Sequence, residues 1–198
     1  RAERARLAAE VHPLAAVRGP PGTHDVDLGL ALLDALERAG PVRQPRFDKA
    51  ADDRAPESAW PVAQGPADIV LFEGWCVGAK PQPDAALGAP INVLETQEDP
   101  HGVWRRWVNG QLAGPYRPLF ARLARLILLR APHFSVVRRW RGEAEAERRA
   151  QTGGGMSAAE IDRFVQVYER LSGHIAEEMA GRADVVITLD ANRNPVIQ

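Results

Sequence analysis

The 198-residue chain has a single cysteine, Cys76, so no disulfide can form within it, and a reducing compartment suits the lone thiol. A small core thiol is the plainer reading of Cys76; a nucleophile beside the adjoining Glu-Gly-Trp turn is the sharper one. No apolar run is long enough to span a bilayer: the best, Leu123 to Leu129, is cut by Arg125 and bounded by Arg130. Neither sign of charge dominates. With 25 basic against 26 acidic residues, net charge -1, no strong field draws the chain to nucleic acid or a membrane surface. A secretory signal is lacking, and the first residue is Arg1, not Met. The expectation is a cytoplasmic protein with further sequence upstream.

Several chemistries are missing as well. The histidines at 12, 24, 101, 133 and 174 form no pair at metal-ligand spacing, and one thiol allows no Cys–His cluster. There is no Gly-x-Ser-x-Gly elbow and no dinucleotide glycine fingerprint after a strand. Nor does a Gly-x-x-x-x-Gly-Lys-Ser/Thr loop occur; the triple glycine at 153–155 runs into Met156 and Ser157.

What is present is ordinary globular composition, 45% apolar and 26% charged, at a length that fits one domain. The organising stretch is 67–78. Ile69 to Phe72 reads as a strand buried on both faces, as in a parallel sheet. It ends at Glu73 and Gly74, where open α/β sheets bind their ligands. Leu126 to Leu129 and Val185 to Leu189 read as further strands.

Helices are expected between the strands. One follows Asp25 to about Arg38, with leucines on more than one face and hence deep burial. Another opens at Asp99-Pro100, by the preference for proline in the first turn. A charged helix covers about 133–150. It is either a salt-bridged surface helix or a lid whose arginines close on phosphates. Ser157 and Glu160 form a capping box for a helix reaching Met179. The loop 18–25 is rigid, with two prolines between two glycines. Residues 45–54 read as a solvated loop, or as mixed charges gathered around a polar ligand. Alternating strands and helices give an α/β class with a parallel sheet.

Taken in order, several stretches resemble the D-glycerate 3-kinase group of P-loop kinases, relatives of uridine kinase and phosphoribulokinase. They are Arg-Gly-Pro-Pro-Gly-Thr-His-Asp (18–25), Pro-Arg-Phe-Asp-Lys (45–49) with Asp53-Arg54, and Asp-Ile-Val-Leu-Phe-Glu-Gly-Trp (68–75). Trp140-Arg141 with Glu147, Gly-Met-Ser (155–157) with Phe164, Val165 and Tyr168, and Leu-Asp-x-Asn-Arg-x-Pro (189–195) complete the set. The resemblance implies a P-loop NTPase-like, mostly parallel sheet flanked by helices, in one domain over 1–198 with a lid around 133–156. The family's phosphate loop and its strand precede the region that begins here.

The implied reaction is transfer of the ATP γ-phosphoryl to a hydroxyl of a small polar acceptor, D-glycerate or a similar hydroxy acid. Glu73 then serves Mg²⁺, and Glu73, Asp53 and Arg54 form the catalytic set. Thr23, His24, Asp25, Asp48 and Lys49 face the acceptor, with Lys49 and Arg54 as binders of its carboxylate. Arg141 and Arg148 meet phosphate, and Asn192 and Arg193 meet the nucleotide base. His24 as a packed loop residue and Asp25 as a mere helix cap stay open beside these roles. The alternatives are a kinase of nucleosides or a pantothenate-like alcohol, and a non-catalytic binding module without the phosphate loop. The expected partners are the small-molecule acceptor and ATP, with no nucleic acid and no membrane; the sequence leaves the oligomeric state open.

Overall fold

The structure is a computed structural model and describes residues 1–49 and 51–196. It opens with α1 (Ala2–Glu10) and a short 3₁₀ turn, Pro13–Ala16, whose first free amide is taken by His12: Leu14 N–H donates to Nδ1 at 3.2 Å. After the 18–25 loop comes α2 (Val26–Leu36), capped by Asp25 as its sequence suggests. Its burial is shallower than the leucine pattern implies. Only Val26 and Leu36 are fully buried, and the remaining leucines are half-covered, because neighbours pack against part of its circumference.

Two small antiparallel pairs follow that periodicity does not reveal. β1 (Gly40–Arg43) lies against β4 (Val62–Gly65) in the register Gly40 to Gly65, and β2 (Phe47–Asp48) against β3 (Asp53–Arg54). The 45–54 segment thus carries a paired hairpin and is not an open loop; residue 50 lies outside the described residues.

The Ile69–Phe72 run is the main departure from expectation. It forms no strand ladder and is not buried. Exposure alternates along it, at 87%, 45%, 86% and 37% from Ile69 to Phe72, the period-two pattern of strand geometry without a partner on either side.

The second half follows the sequence more closely. Asn92 caps α3 (Val93–Glu98). α4 (Val103–Ala113) starts at Gly102, not at Pro100. Asp99 reaches forward from the end of α3 and accepts the amides of Trp104 and Arg105 at 3.0 and 3.1 Å. Then come α5 (Tyr116–Phe120), β5 (Ile127–Arg130), α6 (Ser135–Thr152), α7 (Ala158–Glu178) and β6 (Val185–Thr188). The Ser157/Glu160 capping box is formed. β5 and β6 pair in parallel, Ile127 opposite Val185, and this pair makes the chain an α/β protein. None of the helices among the described residues is long and apolar enough to cross a membrane.

Two apolar clusters make the core, and α4 and α7 supply both. Leu112, Tyr116, Leu119, Leu128, Leu171 and Ile175 belong to the larger; Leu14, Leu94, Trp104, Val108 and Val167 to the smaller. Between them runs a charged seam. Glu95, fully buried, takes a two-pronged bond from Arg170 at 2.7 Å on each oxygen, while Arg170 also donates to the Ala86 and Ala89 carbonyls. Arg105, equally hidden, bonds Asp99 and the Leu87 and Gly88 carbonyls. The seam therefore ties the 84–99 connection to α4 and α7. Removing one member of such a buried pair leaves the other charge uncompensated, so Glu95→Ala is expected to destabilise the fold by about 3–5 kcal/mol. A urea titration should show this as a lowered midpoint, whereas Arg163→Ala, on the exposed Glu98 bridge, should move it by less than about 1 kcal/mol.

Candidate functional site

The Gly-Pro-Pro-Gly loop is shaped by its neighbours. Gly19 and Gly22 have φ of +114° and +97°, and a Cβ on Gly22 would fall 2.3 Å from the Trp107 ring. Thr23 Oγ1 donates to the Pro20 carbonyl at 2.8 Å and accepts the Gly19 amide at 2.9 Å, so this side chain closes the turn. Two phenols, the buried Tyr116 and the half-buried Tyr168, pin the loop's ends. Tyr168 Oη donates to the Arg18 carbonyl at 2.7 Å, and Tyr116 Oη accepts the Gly22 amide at 2.9 Å and lies 2.6 Å from His24 Nδ1. Burial pushes the Tyr116 pKa up to about 12 and raises that of Tyr168, so both remain phenols at neutral pH. Burial also lowers the pKa of His24 and favours its neutral form. Tyr168 belongs to the stretches that carry the family resemblance, whereas no motif marks Tyr116. The signal available in the sequence was that a tyrosine on a buried helical stripe must find a partner for its hydroxyl.

Asp25 is both a cap and a bridge. It accepts the Leu28 amide at 3.0 Å and a bond from Arg54 Nη2 at 2.8 Å, and those two interactions hold its carboxyl below the ordinary range. This bond brings the hairpin onto the loop. Asp52, which no motif picks out, reinforces it: it pairs with Arg4 and Arg18, while the Arg18 guanidinium sits 4.5 Å from the Phe47 ring centre. Asp48, Lys49 and Asp53 are exposed on the same hairpin. Asp48 Oδ1 accepts the Ala51 amide and Asp53 Oδ1 the Arg54 amide, so both carboxylates also shape local backbone.

Glu73 is exposed and makes no hydrogen bond or ion pair among the described residues. Two residues on, Trp75 donates to Ser172 Oγ at 2.9 Å and stands edge-on to Tyr168 at 4.8 Å. Trp75 and Pro20 line one small cavity of about 20 Å³ with Trp104, Arg105 and Arg170 between them, enough for one water molecule. The Glu73–Trp75 turn thus adjoins the 18–22 loop through Trp75. Cys76 is buried, and burial lifts its thiol to about 11, which makes it a core residue and not a nucleophile. Among the described residues no three His, Cys, Asp or Glu side chains gather as a metal cage.

Further along, Trp140, Glu143, Ala144, Glu147 and Arg193 line an open groove of about 600 Å³. Arg193, at φ +69°, lies 5.3 Å from the Trp140 ring centre and pairs with Glu143. Asn192 is exposed, with its amide donating to Asp190 Oδ1 at 2.7 Å. Arg148 is exposed. Arg141 is engaged: it pairs with Glu145 and lies 4.6 Å from the Phe164 ring centre, with its Nε buried and unpartnered. Glu145 is nearly inaccessible and also accepts the Met156 amide at 3.0 Å. The Met156 amide, and after it the neighbouring arginines, lower its pKa.

The structure therefore gathers Thr23, His24, Asp25 and Arg54 into one region, with Asp48, Lys49 and Asp53 on the adjoining hairpin. It places Trp140 and Arg193 together in a second, and leaves Glu73 on a separate turn. Compared with known proteins, the chain is 31% identical to the chloroplastic D-glycerate 3-kinase of Arabidopsis thaliana over 196 residues, 91% of this chain and 41% of the plant protein. It is also 31% identical to the uncharacterized kinase mug58 of Schizosaccharomyces pombe, over 94% of this chain and 70% of that protein. The chain belongs to the D-glycerate 3-kinase-like family. The fold agrees: the D-glycerate 3-kinase structure from Cryptococcus neoformans superposes with a TM-score of 0.80 at 21% identity, covering 99% of this chain and 74% of that one. The YGR205w protein structure gives 0.70 at 24% identity, covering 71% of its chain. No protein-family model matches the chain.

In this member of the family, Glu145 fastens α6 to the segment after the triple glycine, beside Arg149, which donates to the Met156 carbonyl. Because its carboxyl pKa is depressed in the folded state, the fastening is present above the ordinary carboxylate range and is lost as pH falls through its folded value. Glu145→Gln is expected to speed amide exchange at Gly155 and Met156 while leaving the α7 amides unchanged; equal exchange in both proteins would remove this role.

Proposed function

We propose that this chain forms the acceptor side and lid of a P-loop-type kinase domain that transfers the γ-phosphoryl of ATP to a hydroxyl of D-glycerate or a similar hydroxy acid. The observation that carries the substrate is the 31% identity to a plant D-glycerate 3-kinase across nearly the whole chain. The local geometry supports it. An acidic acceptor needs cationic donors, and Arg54 is held against Asp25 so that only part of its guanidinium fork is spent. Lys49 stands on the same hairpin.

The open sheet supports the P-loop part of the reading. Ile127, Leu129, Val185 and Val186 of the parallel pair are exposed, as are Ile69 to Phe72. Such faces belong to a sheet covered by further strands and helices. A strand preceding a phosphate loop is the segment that suits them, and these residues alone contain no such loop to cradle a triphosphate. In the same domain α6 and the following glycines, about 133–156, act as the lid.

Mg²⁺ fits the residues present in a limited way. A magnesium site in a kinase takes one or two carboxylates and completes its shell with phosphates and water, and the unpaired Glu73 is one such carboxylate. When bound with ATP, the ion neutralises charge on the phosphates. Arg141 and Arg148 are the lid's phosphate donors, with Arg141 first released from Glu145. Asn192 and Arg193 border the groove for the base. Asp53 and Arg54 order the acceptor beside the reacting phosphate.

The test is ATP consumption by the protein in its native length. Turnover is expected with D-glycerate and not with uridine or pantothenate; the reverse preference would assign another acceptor. Binding of D-glycerate without any turnover would favour the non-catalytic module. Glu73→Gln should lower kcat on the order of a hundredfold with nucleotide affinity kept. Arg54→Ala should raise the KM for glycerate by about tenfold or more, as expected for a lost charge-assisted hydrogen bond.

A further inference from the structure

Three polar groups meet at one buried hydroxyl beneath the acceptor loop. The Gly22 amide can only donate, so Tyr116 Oη accepts it, at 2.9 Å. His24 Nδ1 lies 2.6 Å from the same oxygen, and the two rings stand edge-on with centres 5.9 Å apart. Two proton arrangements fit these distances. If Nδ1 carried a proton, the hydroxyl would accept twice, and its own hydrogen would need a second acceptor. Tyr116 is 2% exposed, and its hydroxyl hydrogen meets no other acceptor among the described residues: the Gly22 amide and the His24 main-chain amide, which also faces the oxygen, can only donate. A buried hydroxyl left with an unpaired hydrogen is costly. If Nδ1 is bare, the Tyr116 hydroxyl donates to it, and all three groups are satisfied.

We infer that Tyr116 locks His24 in its neutral Nε2–H tautomer, so that His24 offers the acceptor a hydrogen-bond donor for a carboxylate or hydroxyl oxygen and does not serve as the base that takes the hydroxyl proton. Nε2 has no protein partner among the described residues. The proton on it is the one polar group of the ring left to meet a ligand. An imidazolium would need the same Nδ1 proton as the disfavoured tautomer, so the contact also opposes charging. Burial acts in the same direction. The charged neighbours are Asp25, adjacent in the chain, and Arg54, which is paired to it; the Cys76 thiol faces Tyr116 and is neutral. Tyr116 is a positioning residue in this scheme and touches no substrate. The identity of the ligand rests on the proposed glycerate kinase reading; the tautomer does not.

A long-range ¹H–¹⁵N spectrum of the labelled protein at neutral pH reads the tautomer without turnover. The expected His24 pattern is a protonated Nε2 and a bare Nδ1, changing in Tyr116→Phe toward a mixture of the two neutral forms. An Nδ1–H or doubly protonated pattern in the unmodified protein, or the same pattern in both proteins, overturns the lock. Tyr116→Phe should also raise the KM for D-glycerate several-fold with kcat within about twofold, since a lost binding contact and not a lost chemical step is at issue. A second pair of variants leaves Tyr116 intact. His24→Gln keeps an N–H donor at about the reach of Nε2, and should retain more affinity for D-glycerate than His24→Phe. Equal losses overturn the donor role. An intact Nε2–H signature in a protein that neither binds nor phosphorylates D-glycerate would keep the lock and overturn the ligand.

Discussion

The site depends on a backbone that cannot satisfy itself. The Gly-Pro-Pro-Gly loop folds into too tight a curve to pair its outer amide and carbonyl internally, and buried backbone groups must be paired. Tyr116, on α5, takes the Gly22 amide, and Tyr168, on α7, supplies the Arg18 carbonyl with a donor. Both phenols are anchored in packed helices, so the loop inherits their rigidity. Residues 23–25, which carry the candidate chemistry, hang from these two bonds, and Asp25 extends the arrangement to the hairpin through Arg54.

Tyr168 also belongs to a line of ring contacts along α7. Arg141 lies over Phe164, Phe164 leans on Tyr168 at 4.9 Å, and Tyr168 meets Trp75 edge-on. This line joins three of the places that the family resemblance marks: α6, the Arg18 loop, and the turn that bears Glu73. Each contact is modest, about 0.5–1.5 kcal/mol beyond the area it buries. Together they couple the position of α6 to that of the loop through side chains, without a backbone connection. The buried Glu95–Arg170 pair fastens the same helix to the 84–99 connection, which the Asp99–Arg105 pair in turn ties to α4.

The legible parts of the fold were those decided locally. A capping box and a long apolar stripe define α7 without help from elsewhere, and the short apolar runs at 127–130 and 185–188 end where charged residues begin. What pairing decides was not legible. β1 and β4 are joined by register across the 40–65 stretch, and nothing in Gly-Pro-Val-Arg or Val-Ala-Gln-Gly announces it. The start of α4 was misplaced because Asp99 satisfies amides from beyond the first turn, which a proline rule cannot see. In the site, Asp25 as a cap and the exposed Asp48, Lys49 and Asp53 could be read from the sequence, while the meeting of Trp140 with Arg193 could not. Tyr116 and Asp52 could not either, since each acts on backbone or charge distant in sequence.

The Ile69–Phe72 run shows where local reading and structure diverge for a physical reason. Its residues alternate in exposure as a strand would, so the chemistry of the segment is that of a strand, but strand stability resides in cross-strand pairs and covered faces. Without them the run lies open, and Glu73 at its end has nothing to hold it. The acceptor loop, by contrast, is complete, since its anchors lie within these residues. On the proposed reading the two walls of the cleft therefore differ in kind. The acceptor wall is preorganised by hydrogen bonds within these residues. The nucleotide wall takes its shape only when the sheet is closed by a further strand, and with it the carboxylate that would meet the metal.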